Sequence, residues 1–303
     1  MEPLKIGIIG LDTSHVTAFT ELLHAQDHPY HVPGGKVVVA YPGGSKDFEL
    51  SANRVAQYTD ELRSKYDVGI VERCSDVARA CDAILLESVD GRVHPEQLAE
   101  VVPYGKPIFV DKPFALSSKE ADAMVEMAHR HGTPIMSTSA LRYAQPFVEA
   151  TSHDPQAEGG QITGCDAYGP MAIEPTQPGL FWYGIHTAEI LFAALGKDCL
   201  RVRSVTNEKH DIVIGEWANG RIGTIRGNRT GSYHFGALVH RESTTRAVDI
   251  SGSEKPFYAS LLEEIIRFFR TKASPIDEEE TKQVIRFIEC ANESRVTGSI
   301  VEL

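Results

Sequence analysis

The 303-residue sequence predicts an α/β protein in two parts: a parallel sheet covered by helices, then an α+β part built on a large, mostly antiparallel, open sheet. Three observations carry this prediction. Over residues 1–140, short continuous runs of Val, Ile and Leu alternate with stretches of helical period, the pattern of strands buried on both faces. Over residues 200–250 the apolar period shortens to two, as in strands with one covered face. Within that stretch Asn219-Gly220 joins two alternating runs, the strongest short hairpin signal. The change of character falls near Leu141 without a low-complexity linker, so the chain divides into 1–140 and 141–303.

In the first part, Lys5–Gly10, Lys36–Tyr41, Ala83–Glu87, Pro107–Val110 and Pro134–Ser137 read as strands. Val16–Ala25, a segment beginning near Phe48, Pro95–Val102 and Ser117–His131 read as helices. Ser117 and Ser118 precede an acidic first turn, and Gly132 supplies the stop. In the second part the pattern turns helical from Gly184, and DIVIGEWANGRIGTIR forms the hairpin, extended by His234–His240 and Thr244–Ile250. Helices over Pro256–Thr271 and Glu278–Val296 and a last strand at Ser299–Leu303 follow. A half-covered sheet of this kind is stable when it packs on a copy of itself, which predicts a homodimer or homotetramer through the C-terminal sheet.

With 42% apolar and 24% charged residues, the chain has the composition of an ordinary globular protein. Its 30 Lys and Arg against 42 Asp and Glu leave a charge of -12, which argues against a nucleic-acid partner. The opening MEPLKIGIIG is too short in its apolar run for a signal peptide, and no stretch reaches membrane-spanning length. Cys74, Cys81, Cys165, Cys199 and Cys290 are scattered without a C-x-x-C pair, which fits free thiols in a reducing cytoplasm. His24, His28 and His31 invite a metal reading, but Pro29 interrupts them and no thiolate joins, so a solvated loop and no metal are expected.

The chemistry concentrates where strands end. GIIGLDTSHV (residues 7–16) passes from strand through Gly10 to a helix start, and sheets that open this way bind ligands at the carboxyl ends of their strands. A dinucleotide loop would want glycines where Asp12 and His15 stand. Two readings are open: Asp12-Thr13-Ser14 is a polar helix cap, or Thr13, Ser14 and a protonated His15 donate to phosphate. After the second strand, Gly43-Gly44-Ser45-Lys46 offers a hydroxyl and an ammonium, with no acid before Asp47. That suits a 2′-phosphate better than a free 2′-hydroxyl and tilts a nicotinamide cofactor from NAD toward NADP. Further on, a strand delivers Asp111-Lys112-Pro113 to its carboxyl end, where Lys112 can hydrogen-bond a substrate hydroxyl and stabilise alkoxide character. In PGLFWYGIHTAEILFAALG (residues 178–196), His186 and Glu189 share one helix face. Imidazole is the natural proton acceptor near neutral pH. A lone histidine on an apolar helix is more often a satisfied core residue, and the pairing with Lys112 reverses that preference.

These residues resemble the glucose-fructose oxidoreductase / inositol dehydrogenase / rhizopine catabolism (Gfo/Idh/MocA) family. The resemblance runs through IGIIG, His94 with GKPIFVDKP, SALRY (139–143), GLFWYGIHTAEILFAALG and the tail ANESRVTGSIVEL. It implies an N-terminal Rossmann-like dinucleotide-binding domain, a C-terminal substrate-binding and oligomerisation domain, and NAD(P)-dependent chemistry on a sugar, polyol or related hydroxyl or ketone. By position it implies that Lys112 lies near the nicotinamide and the reacting oxygen, and that His186 is the catalytic histidine. Gly10, Asp12, Thr13, Ser14 and His15 match the pyrophosphate site, and Ser88, His94 and Asp111 line the cofactor. Arg142 and Tyr143 fall at the substrate cleft, with Glu189; Trp182 and Tyr183 either stack on a sugar face or pack between domains. Three departures stand out: Asp111 in place of glutamate, the degraded glycine loop, and Trp182 where many members carry a catalytic aspartate. They keep two alternatives open, a non-redox ligand-binding or regulatory protein on the same fold, and a redox-assisted lyase or epimerase.

Overall fold

Strand β1 (Leu4–Ile9) reads LKIGII, and its last four residues are buried. It is followed in the chain by β2 (Gly35–Tyr41), β3 (Gly69–Ile70), β4 (Ala83–Leu86), β5 (Ile108–Val110) and β6 (Ile135–Ser137). These six strands form one all-parallel sheet in the order β3-β2-β1-β4-β5-β6. Every residue of β4, AILL, is buried, as expected of a strand covered on both faces. The order reverses between β1 and β4, which is where such sheets open a crevice at their carboxyl ends. The structure, a computed structural model, describes residues 2–152 and 158–303.

Helices α1 (Ser14–His24), α2 (Glu49–Tyr66), α3 (Cys74–Ala80), α4 (His94–Val101) and α5 (Ser118–His131) connect the strands. In α5 the buried residues are Ala121, Met124, Val125 and Ala128, a single helical stripe. The region of the three histidines is tied down locally: Val37 N donates to His24 Nε2 (3.1 Å), and His31 Nδ1 lies 2.9 Å from the Leu22 carbonyl.

The chain gathers into two units that are not consecutive stretches. The first comprises Met1–Ala115, Lys119–Thr138 and Tyr258–Glu278; the second comprises Leu116–Ser118, Ser139–Phe257 and Glu279–Leu303. The return of residues 258–278 to the first unit is carried by the apolar face of a late helix that runs Phe257–Thr271, where Leu262, Ile265 and Ile266 are buried. Arg270 of that helix donates to the Gly34 carbonyl (2.9 Å).

The second unit contains α6 (Gln145–Ala150), β7 (Ile162–Pro170), α7 (Gly184–Leu195), β8 (Cys199–Thr206), β9 (His210–Trp217), β10 (Ile222–Asn228), β11 (Gly236–Arg241) and β12 (Thr245–Asp249). The helix that closes the first unit is α8; α9 (Glu278–Thr297) and β13 (Val301–Glu302) complete the second. Its sheet has the order β12-β11-β7-β10-β9-β8-β13, with β7 and β10 parallel and the other neighbours antiparallel. Asn219-Gly220 makes the expected hairpin between β9 and β10, with Gly220 at φ 81 and Trp217 N donating to the Arg221 carbonyl. Phe192 of α7 packs on Trp217 of β9 and on Phe287 of α9, with ring centroids 5.6 and 5.7 Å apart. The same sheet leaves Tyr168, Ile222 and Leu238 exposed. No helix among the described residues is long and apolar enough to cross a membrane.

Candidate active site

The turn after β1 is built for close approach. Gly10 has φ 88, and a Cβ there would stand 2.3 Å from Ser88 Oγ and 2.4 Å from the Ser88 nitrogen. Only glycine lets the ends of β1 and β4 meet this way. Thr13 is the N-cap of α1, its Oγ1 accepting from His15 N (3.5 Å), and Ser14 is exposed in the first turn. Asp12 does not cap the helix. Its Oδ2 accepts from Ser51 Oγ (2.6 Å) and its Oδ1 from Val89 N (2.9 Å), bracing the turn against α2 and against the segment after β4. Burial pushes its carboxyl above the usual range in spite of these bonds.

The loops after β2 and β4 are joined by a polar network. Ser45 Oγ donates to Asp90 Oδ2 (2.6 Å), and Arg92 grips both Asp90 and Asp47, the latter at 2.8 and 2.9 Å. Lys46 is exposed. Ser88 Oγ donates to Gln97 Oε1 (2.8 Å). His94 is wholly buried, with Nε2 2.7 Å from the Ser88 carbonyl and Nδ1 3.2 Å from the Phe114 carbonyl. It therefore joins the segment after β4 to the segment after β5.

His15 turns inward. Its Nδ1 lies 3.0 Å from Asp111 Oδ2 and 3.5 Å from Glu87 Oε2, and Lys112 Nζ lies 3.7 Å from the same Asp111 oxygen. The rings of Phe19 and Tyr258 flank the imidazole at 5.6 and 4.8 Å. All four polar residues are buried, Glu87 and Asp111 completely. Burial opposes the imidazolium of His15, but the Asp111 charge and the close approach of the Asp111 and Glu87 carboxylates outweigh it and raise the group to about 9. Burial pushes Glu87 up to about 7. Asp111 is equally desolvated, yet the charges of His15 and Lys112 hold it below the ordinary carboxylate range. His15, Glu87 and Asp111 each offer a ligand atom, all within 4.8 Å of one another. A cation there would have to displace the His15 proton and sit close to an ammonium. Sequence reasoning passed over Glu87 as a site residue; its signal was an acid closing an otherwise apolar strand, AILLE.

In the second unit Ser139 opens a short 3-10 turn, Ala140–Tyr143, and its hydroxyl lies 2.8 Å from His186 Nδ1. His186 is half-buried in the first turn of α7 and belongs to a row of rings: Trp182–Tyr183 at 5.8 Å, Tyr183–His186 at 5.9 Å and His186–Phe235 at 5.4 Å. Nothing in the local sequence SALRY marks Ser139 as a partner of a histidine 47 positions on. Arg142 is buried with Nε 2.9 Å from Glu189 Oε2, and its NH2 pairs with Glu280. Tyr143 is half-buried beside it in the chain. The structure thus brings Arg142 and Glu189 together as an ion pair, and His15, Asp111 and Lys112 together as a charge cluster.

An all-parallel sheet of order 3-2-1-4-5-6, with a glycine turn meeting β4 and a helix N-terminus beyond it, defines the class of dinucleotide-binding α/β proteins. Residues 4–139 match the Gfo/Idh/MocA model, described as an oxidoreductase family with an NAD-binding Rossmann fold. The scyllo-inositol 2-dehydrogenase (NADP(+)) IolU of Bacillus subtilis is 29% identical over 115 residues, 36% of this chain and 34% of that protein. The myo-inositol dehydrogenase Hyg17 of Streptomyces leeuwenhoekii is 33% identical over 84 residues, 28% of this chain and 24% of that protein. The matched stretches thus span about a third or less of those relatives' length. Scyllo-inositol dehydrogenase from Lactobacillus casei, solved with NAD(H) and scyllo-inositol, shares the fold over 99% of both chains with a TM-score of 0.79 at 15% identity.

Proposed function

We propose that the protein is an NAD(P)-dependent dehydrogenase acting on a hydroxyl or ketone of an inositol, sugar or related polyol. The observation that carries this reading is the nearly buried Lys112 ammonium at the carboxyl end of β5, in the unit that matches the NAD-binding family. Inositol is the substrate named for both curated relatives, which makes it the first compound to try.

The crevice fits a dinucleotide in one respect that its sequence obscures: the Asp12 charge is spent on Ser51 and Val89, while Thr13 and exposed Ser14 stand at the α1 N-terminus. Gly10, Thr13 and Ser14 would hold the pyrophosphate, and Ser88 and His94 would shape the wall beside it. Ser45 already donates to Asp90, so a preference for NADP would rest chiefly on Lys46. IolU is named for NADP(+), whereas the Lactobacillus casei structure holds NAD(H), and both cofactors belong in the test. When bound, the nicotinamide supplies the hydride acceptor or donor.

Lys112 donates a hydrogen bond to the reacting oxygen and stabilises its developing charge. His186, oriented through Nδ1 by Ser139, exchanges the hydroxyl proton at its other ring nitrogen. Trp182, Tyr183 and Tyr143 bear on the substrate, with Arg142 and Glu189 paired behind them. Trp182 stands where many family members carry an aspartate, so His186 relies on Ser139 for its orientation, or the chemistry differs. Assembly through the sheet face bearing Tyr168, Ile222 and Leu238, and residence in the cytoplasm, complete the reading.

Calorimetric titration with NAD(H) and NADP(H), followed by assays on myo- and scyllo-inositol, tests it. Lys112→Ala should lower turnover by about 100-fold or more while leaving cofactor affinity nearly unchanged. Undiminished turnover in that variant removes the lysine from the mechanism. No heat and no protection from unfolding with either cofactor would favour a ligand-binding protein, the reading that Asp12 in place of a glycine supports. Product analysis separates dehydrogenation from elimination or epimerisation.

A further inference from the structure

Neither the crevice nor the substrate residues use Glu87. It is completely buried at the β4 end, and neither of its carboxylate oxygens has a hydrogen-bond partner of good geometry. A carboxylate in that position is costly unless an opposite charge compensates it. His15 supplies the charge at 3.5 Å and reaches Asp111 at 3.0 Å, and the same Asp111 oxygen faces Lys112 at 3.7 Å. Along Glu87, His15, Asp111 and Lys112, acidic and basic groups alternate, each flanked by the opposite kind. Its members come from β4, α1 and the end of β5, and Tyr258 of α8 closes it with a ring 4.8 Å from the imidazole.

We propose that Glu87 and His15 are positioning residues for the reaction, bracing Asp111 so that Lys112 is presented at one place at the end of β5. The proposal rests on the reading of Lys112 given above. Each link depends on the one before it. Glu87 and Asp111 are the two counter-charges of the buried imidazolium; without Glu87, His15 gives up its proton more readily. Asp111 then loses its partner on that side and draws the ammonium back from the substrate oxygen. Among the described residues, the charged groups beside His15 are Glu87, Asp111 and Lys112, with the Phe19 and Tyr258 rings flanking it, and the imidazole is buried from solvent.

Nitrogen-15 NMR of the histidine rings in the intact protein reads the first link, with His15→Gln identifying the signal. The His15 midpoint should stand at about 9 in the wild type and fall by roughly one unit or more in Glu87→Gln. Glu87→Asp keeps the charge and should return the midpoint toward the wild-type value, which also serves if the glutamine variant folds poorly. On inositol, Glu87→Gln should lose about tenfold in kcat with KM for substrate and cofactor within about twofold. An unchanged midpoint, or a loss confined to KM, overturns the proposal. So does thermal stabilisation of the chelator-treated protein by added Mn2+ or Zn2+ that disappears in His15→Gln, because the same atoms would then be metal ligands. A wild-type protein that binds neither cofactor and turns over no polyol defeats the functional reading instead, a result independent of the midpoint.

Discussion

Replacing Arg142 by leucine should destabilise the second unit far more than it disturbs any binding. The guanidinium is buried, with Nε 2.9 Å from Glu189 Oε2 and NH2 on Glu280, and it also donates to the Glu189 carbonyl at 3.3 Å. Burial opposes its charge, yet the two carboxylates raise its pKa, so the pair is held together from both sides. Leucine removes the guanidinium from beside Glu189, which is only 4% exposed; Glu280 is better solvated and loses less. Breaking a buried pair from one side costs about 3–5 kcal/mol, a large share of a typical native stability of about 5–15 kcal/mol. Both tryptophans, Trp182 and Trp217, lie in the second unit, so their fluorescence during guanidinium unfolding follows the affected part. Arg142→Leu combined with Glu189→Leu should recover much of the loss, because the buried carboxylate is then removed along with its cation. A cost under about 1 kcal/mol, or single effects that simply add in the double variant, would refute the reasoning. A variant of normal stability with a raised KM would return Arg142 to the substrate.

Three other outcomes are expected. Gly10→Ala combines a φ of 88 with a Cβ placed 2.3 Å from Ser88 Oγ and 2.4 Å from its backbone nitrogen, so urea unfolding should show a loss of about 3 kcal/mol or more; less than about 1 would mean that β1 and β4 can separate freely. His15, raised from 6.5 to about 9, contributes stability that is fully present below pH 6.5 and lost as pH rises through 9, on the order of 3 kcal/mol. The decline should flatten in His15→Gln, while Glu87, raised from 4.5 to about 7, adds a loss of the same sign between those values. All five thiols are free and buried, with Cys74, Cys165 and Cys199 pushed up to about 12 by burial and Cys81 and Cys290 to about 11. Ellman's reagent should therefore react slowly with the native protein and fully in denaturant, and one rapid native thiol would contradict the burial.

What the sequence discloses depends on how local the cause is. The runs of β1, β2 and β4 and the Asn219-Gly220 turn announce themselves because continuous apolar strands and a left-handed turn are properties of a few adjacent residues. β3 and α3, two and seven residues long, are too brief to show a period. β7 went unread because ITGCDAYGP mixes glycine, aspartate and proline, although it lies inside its sheet between β10 and β11. The site follows the same rule. Lys112 at a strand end was legible, and so was the helical setting of His186. The duties of Asp12 were not, because its partners Ser51 and Val89 lie 39 and 77 positions away. The pairing of Arg142 with Glu280 was equally illegible, because Glu280 lies 138 positions on.

The imidazole of His94 touches the carbonyl after β4 with one nitrogen and a carbonyl just past Lys112-Pro113 with the other. Two loops from separate stretches of the sequence are thereby pinned to a single ring. A side chain that removed either contact would free the segment after β4 from the backbone two residues beyond Lys112.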